Sequence, residues 1–151
     1  MKTAIIFSDT HGNTLVMKKL DEILRETDYI FHLGDYARDF LFVKEKYPNK
    51  AKSVPGNCDG LFGDGIIDID GVKVFYTHGH DYGVKSDLTK LYFKAKSLGV
   101  NVVLFGHTHE KLIVERDGIL FINPGSVREG LTYAYLVISN KKAYAKIVDI
   151  Y

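Results

Sequence analysis

Apolar runs rich in β-branched residues alternate with stretches of helical period through the first part of the chain and then give way to strands alone. Ala4 to Phe7 is a short, continuously apolar run of the kind buried on both faces of a sheet. A helix is predicted next, from about Asn13 to Glu26, with Val16, Leu20, Ile23 and Leu24 on one face and Asn13 as N-cap. A second strand, Tyr29 to Leu33, runs into Gly34-Asp35, and a helical stretch carrying Phe40, Leu41, Val43 and Tyr47 ends before Pro48. This βαβ spacing predicts a parallel pair. Lys52 to Val54 forms a third, shorter strand, stopped by the Pro55-Gly56-Asn57 turn.

The middle of the chain reads as a hairpin, Ile66 to Asp70 and Val72 to Thr77, with Asp70-Gly71 suited to a type I′ turn. Its second strand delivers Thr77-His78. A third helix is predicted from about Ser86 to Leu98, with Leu88, Leu91, Tyr92, Ala95 and Leu98 at helical spacing, Ser86 as N-cap and Gly99 just past the end. Val100 to Phe105 returns as a buried strand into Gly106-His107. From there the pattern is all strand: Leu112 to Glu115, a turn at Asp117-Gly118, Ile119 to Ile122, Tyr133 to Ile138, a turn near Asn140-Lys141, and Ala143 to Val148. No linker, low-complexity segment or repeat interrupts the chain, so one domain is expected over residues 1–151.

Composition permits this reading without adding chemistry. A chain of 151 residues is long enough to bury roughly 68–70% of its unfolded surface around one core. With 46% hydrophobic residues, 26% charged residues and a net charge of +1, nothing indicates nucleic acid or an anionic membrane as partner. Cys58 is the only cysteine, which excludes an intrachain disulfide and favours a reducing compartment. The first apolar run stops at Ser8-Asp9, too short for a signal segment or a membrane span. A cytoplasmic protein is expected.

The chemistry lies in the residues that follow the apolar runs: Asp9 and His11, Asp35, Asn57, His78 and His80, and His107 and His109. Carboxylate and amide oxygens with neutral imidazoles suit first-row divalent metals and need no thiolate. Seven donors, Asp9, His11, Asp35, Asn57, His78, His107 and His109, exceed what one ion uses, and two ions sharing a carboxylate is the economical inference. Because ligands of α/β sheets bind beyond the carboxyl ends of the strands, one rim of a two-sheet sandwich would gather these residues. A pair of ions there would clamp the oxygens of a phosphoryl group.

In this order, Asp9-x-His11, Gly34-Asp35, Gly56-Asn57, His78-Gly79-His80 and Gly106-His107-x-His109 resemble the motifs of the calcineurin-like metallophosphoesterase superfamily. The chain is similar to its smallest branch, the stand-alone bacterial and archaeal phosphodiesterases, as far as the segment Asn123-Pro124-Gly125-Ser126. The resemblance implies a four-layer αββα sandwich, two mixed β-sheets flanked by helices. It also implies two divalent transition-metal ions, manganese foremost, with nickel, iron, cobalt or zinc as other occupants. Asp9, His11 and His109 would hold the first ion, Asn57, His78 and His107 the second, and Asp35 would bridge them. The implied activity is hydrolysis of a small phosphodiester substrate.

Larger phosphatases of the superfamily carry histidine directly after the Gly-Asn pair, where this chain has Cys58. A thiol is a poor hydrogen-bond donor, so His80 becomes the candidate general acid, alongside a metal-bound water; orienting His78 or contacting phosphate is its competing role. Cys58 reads as a packing residue, His32 as a core hydrogen-bonding histidine, and Arg128 as a solvated arginine or a phosphate contact. A retromer subunit of eukaryotes with the same fold offers the alternative, a protein-interaction module with a vestigial metal site. By the resemblance that subunit lacks one histidine of the set, whereas this chain keeps all seven donors. Association into a homo-oligomer is compatible with either reading.

Overall fold

The structure is a computed structural model that describes residues 1–9, 20–35, 40–54, 56, 63–127 and 131–150, with Phe42 described by its backbone alone. In chain order its elements are β1 (Lys2–Phe7), α1 (Asp21–Glu26), β2 (Tyr29–His32), α2 (Leu41–Lys46), β3 (Ala51–Ser53), β4 (Gly65–Ile69), β5 (Val72–Tyr76), a 3₁₀ turn (His80–Tyr82), α3 (Thr89–Leu98), β6 (Val102–Leu104), β7 (Leu112–Arg116), β8 (Ile119–Asn123), β9 (Thr132–Ser139) and β10 (Lys142–Asp149). One sheet has the order β10-β9-β1-β2-β3 and the other β4-β5-β6-β8-β7. Each is mixed: β1, β2 and β3 run parallel in the first, as do β5, β6 and β8 in the second, and antiparallel strands complete both.

Strand alternation builds the layers. Ala4 and Ile6 point inward with Phe31, Leu33, Val72, Val74, Val102, Leu104 and Ile122 to form the core between the sheets. The intervening Ile5 and Phe7 pack outward on Leu24, Phe40 and Val43, which line the inner sides of α1 and α2. On the other sheet Phe75, Val103 and Phe121 face Leu91 and Ala95 of α3. Runs such as Ile5-Ile6-Phe7 are therefore apolar throughout because each face of the strand meets a different layer. The result is the αββα sandwich.

Turn chemistry fixes the hairpins. Asp70-Gly71, Asp117-Gly118 and Asn140-Lys141 all have positive φ at both central positions, the requirement of type I′ turns. The third helix departs from expectation at its start, Thr89 rather than the residue after Ser86. Gly83 at φ 59° turns the chain, its carbonyl accepts from the Ser86 and Asp87 amides, and Asp87 Oδ1 accepts from Thr89 N at 3.0 Å. Leu88 therefore occupies the N-cap position without a side-chain cap, and Ser86 lies in the preceding turn rather than at the cap. The first helix is described only from Asp21, and Asn13 lies outside the described residues. Among the described residues no helix is long and apolar enough to cross a membrane.

Leu104 is fully buried between the sheets, so Leu104→Ala is expected to lower the unfolding free energy by about 2–5 kcal/mol. Glu22→Ala, on the exposed side of α1, should change it by less than about 0.5 kcal/mol. Urea denaturation of the two variants checks the contrast, and equal losses would contradict the layer assignment.

Candidate metal centre

The parallel strands of both sheets end at one rim. There β1 runs into Ser8-Asp9, β2 into Leu33-Gly34-Asp35, β5 into Thr77-His78, β6 into Phe105-Gly106-His107 and β8 into Pro124-Gly125-Ser126. Backbone bonds tie the loops within each sheet: Asp9 N donates to Gly34 O at 3.1 Å, and Gly106 N to His78 O at 2.9 Å. Other bonds cross between the sheets. Val127 N donates to Ser8 O at 3.2 Å, Ser126 Oγ to Asp9 O at 3.0 Å, and His107 N to Asp9 Oδ2 at 3.1 Å.

The loops approach so closely that Gly34, Gly56 and Gly106 leave no room for a side chain. A Cβ on Gly34, itself at φ 102°, would sit 2.6 Å from Gly56 N and 2.8 Å from His78 Nδ1. One on Gly106 would collide with Ser8 Oγ. Asp9, Asp35, His107 and His109 themselves adopt left-handed backbone, with φ of 53°, 57°, 69° and 62°. That region is sparsely populated by non-glycine residues, and such residues concentrate at functional sites.

Two groups of side chains converge here, Asp35 with His78 and His107, and Asp9 with Asp35 and His109. In each, the candidate ligand atoms lie within 4.8 Å of one another. Asp35 belongs to both. His78 Nδ1 donates to Leu33 O at 2.7 Å, which leaves Nε2 facing His107 Nδ1 at 3.1 Å and Asp35 Oδ2 at 3.5 Å. His109 Nε2 lies 3.3 Å from Asp9 Oδ1. Asp9 is fully buried; Ser8 Oγ at 2.5 Å and the His107 amide hold its Oδ2, while among the described residues Oδ1 accepts no hydrogen bond. A buried carboxylate oxygen in that condition is costly unless a cation meets it.

His80 stands at the mouth, exposed on its 3₁₀ turn, with Nδ1 3.3 Å from His107 Nε2. It therefore backs His107 rather than His78. His32 is buried beneath the site, where its Nδ1 accepts from Gly34 N at 3.2 Å and its ring packs on Phe40. His11, Asn57, Cys58 and Arg128 lie outside the described residues. Sequence reasoning gave no role to Ser8 and Ser126, which clamp Asp9, or to Asn123. The buried Asn123 donates to Thr108 Oγ1 at 2.9 Å and Gly106 O at 3.3 Å, and so shapes the arm between His107 and His109. The available signal was a polar residue closing an apolar strand.

The sequence profile of the calcineurin-like phosphoesterase superfamily domain matches residues 1–141. The chain belongs to that superfamily. It is 32% identical to a phosphodiesterase of Methanocaldococcus jannaschii over 168 aligned positions, covering 95% of this chain and 96% of the relative. The solved structure of a predicted phosphoesterase from Streptococcus pneumoniae superposes with a TM-score of 0.82 at 25% identity, covering 99% of this chain and 90% of that one. Vacuolar protein sorting-associated protein 29 of Schizosaccharomyces pombe is 36% identical over 124 positions, 79% of this chain and 62% of its own length. Membership of the calcineurin-like superfamily accords with a hydrolase of phosphoesters and with a divalent-metal site built from this Asp and His cluster.

Electrostatics set the protonation of the site before any cation binds. Burial, above all, pushes Asp9 up to about 7, against the opposing hydrogen bond from Ser8 and the nearby His109. Burial, then His78 and Lys85, pushes His107 down to about 4. The two act oppositely on metal-free stability. A carboxyl raised in the folded state loses stability as pH rises from its unfolded value toward 7, whereas a depressed histidine gains stability as pH rises from about 4 to its unfolded value. We expect Asp9→Asn to remove only the first effect, so its advantage in Tm over the parent, in chelator, should widen from pH 4 to pH 8. Thermal melts check this; a difference independent of pH would contradict the buried, protonated Asp9.

Proposed function

We propose that the protein hydrolyses phosphodiesters with two divalent ions, manganese foremost, held by Asp9, His11 and His109 on one side and Asn57, His78 and His107 on the other, with Asp35 shared. The observation that carries this reading is the meeting of two acid and imidazole groups at Asp35, beside an Asp9 oxygen that is buried and accepts no hydrogen bond from the described residues. The named phosphodiesterase relative points to the same substrate class. Divalent ions at such a site supply charge against the phosphoryl oxygens and make a water acidic enough to react near neutral pH.

The chain's own residues supply the rest. Ser8 and the His107 amide fix one oxygen of Asp9 so that the other is aimed into the site. Leu33 O holds the proton of His78 on Nδ1, so that the Nε2 lone pair, which faces Asp35 and His107, is the one that would meet a metal. A neutral His107 offers a lone pair for the same purpose. His80, exposed and 3.3 Å from His107 Nε2, would carry a proton to the departing alkoxide. Cys58, where larger phosphatases have histidine, leaves that task with little competition and favours substrates with good leaving groups. A small phosphodiester and a cytoplasmic setting complete the reading. The second reading, an interaction module like the retromer subunit, draws on the relative from Schizosaccharomyces pombe.

Elemental analysis of protein purified without chelator, with kcat/KM for an aryl phosphodiester and the matching monoester, separates the two. The enzyme reading expects two ions per chain and a preference for the diester. Asp35→Ala should retain at most one ion and lose at least about 10²-fold in kcat/KM. Two tightly held ions in Asp35→Ala would refute the shared carboxylate. A preference for the monoester would refute the diesterase assignment, and inactivity on both with metal bound would favour the interaction module.

A further inference from the structure

β7 is the outermost strand of its sheet, paired with β8 on one side. Every residue from Leu112 to Arg116 is exposed, and Leu112, Ile113 and Val114 stand at 39%, 36% and 39% of full exposure. An apolar edge of this kind is a template for another strand. Its hydrogen-bonding side follows from the hairpin. Arg116 pairs with Ile119 around the two-residue Asp117-Gly118 turn, and the pair flanking such a turn is a hydrogen-bonded one. Arg116, Val114 and Leu112 therefore direct their amides and carbonyls to β8, while Ile113 and Glu115 turn theirs outward.

The charges of this segment mirror one another about Ile113. In the run Glu110-Lys111-Leu112-Ile113-Val114-Glu115-Arg116, a two-fold axis through Ile113 sets Lys111 opposite Glu115 of a second copy, Glu110 opposite Arg116 and Leu112 opposite Val114. Ile113, whose backbone groups point outward, meets itself. An axis at Val114 instead places Ile113 against Glu115 and Leu112 against Arg116, and one at Leu112 places Lys111 against Ile113. Opposite charges on directly facing residues stabilise antiparallel pairs, and like charges destabilise them. Only the register through Ile113 satisfies both the charges and the hydrogen-bonding parity.

The faces agree with this arrangement. Ile113 and Glu115 lie opposite Ile122 and Leu120, and Glu115 lines a cleft of about 490 Å³ with Lys142 and Tyr144 of β10. Val114 lies opposite Phe121 on the α3 side, where the Arg116 guanidinium sits 4.5 Å from the Tyr92 ring centre.

We propose that two copies of this chain associate through antiparallel pairing of β7 about Ile113, joining their outer sheets into one continuous sheet of ten strands. The interface closes as a two-fold dimer, which removes both exposed edges at once. It is independent of the metal chemistry, though the arm bearing His109 leads directly into it.

Charge reversal on the full chain tests the pairing by sedimentation velocity over a concentration series. The parent should form a dimer. Glu115→Lys and Lys111→Glu should each weaken dimerisation at least about tenfold, because symmetry turns two attractive pairs into two repulsive ones. The double variant Lys111→Glu/Glu115→Lys should restore it. Far-UV circular dichroism confirms that each single variant is folded, and two independent single variants guard against loss of one. A monomeric parent, a dimer indifferent to either reversal, or a double variant that stays monomeric would overturn the proposal.

Discussion

The close approach of backbone at the carboxyl ends of the parallel strands is the constraint on which the rest of this structure depends. Gly34, Gly56 and Gly106 lie where any side chain would strike a neighbouring loop, and the space so saved is what lets Asp9, Asp35, His78 and His107 come within reach of one another. The cross-sheet bonds from Val127 to Ser8 and from His107 to Asp9 then fix the distance between the two rims. Sheet packing and site geometry are therefore one problem.

Stability is surrendered locally at the site. Asp9 is buried with an oxygen that accepts no hydrogen bond from the described residues, His107 is held neutral well below its ordinary range, and four of the candidate ligands adopt left-handed backbone. Each feature is unfavourable alone, of order 1–3 kcal/mol for a strained residue. The buried carboxylate oxygen and the neutral imidazole are the groups that a divalent cation at this site would use. The surrounding core, fully buried from Ile5 to Phe7 and from Val102 to Leu104, holds the arrangement against that local cost.

The rim and the outer edge of the second sheet serve different ends. The rim gathers acid and imidazole from both sheets, whereas β7 exposes apolar side chains flanked by matched charges. His109 stands between them, at the start of the arm that becomes β7. Fixing that edge would steady the arm without altering the chemistry of the ligands.

Much of this was legible in the sequence because the information is local. Continuous apolar runs marked the parallel strands, Asp70-Gly71 and Asp117-Gly118 marked the hairpins, and residues placed after strands marked where donors would stand. The start of the third helix was not, since the turn at Gly83 takes up the Ser86 and Asp87 amides and delays the first helical residue to Thr89. Nor was the pairing of polar groups across the rim: that Ser8 and Ser126 clamp Asp9, or that His80 meets His107 instead of His78, depends on residues far apart in the chain. Sequence by itself determined the order of elements and the kinds of donor, through periodicity, turn stereochemistry and ligand chemistry. Which atoms meet, and with what protons on them, was decided by tertiary packing, because distance and burial are properties of the assembled layers and not of any one segment.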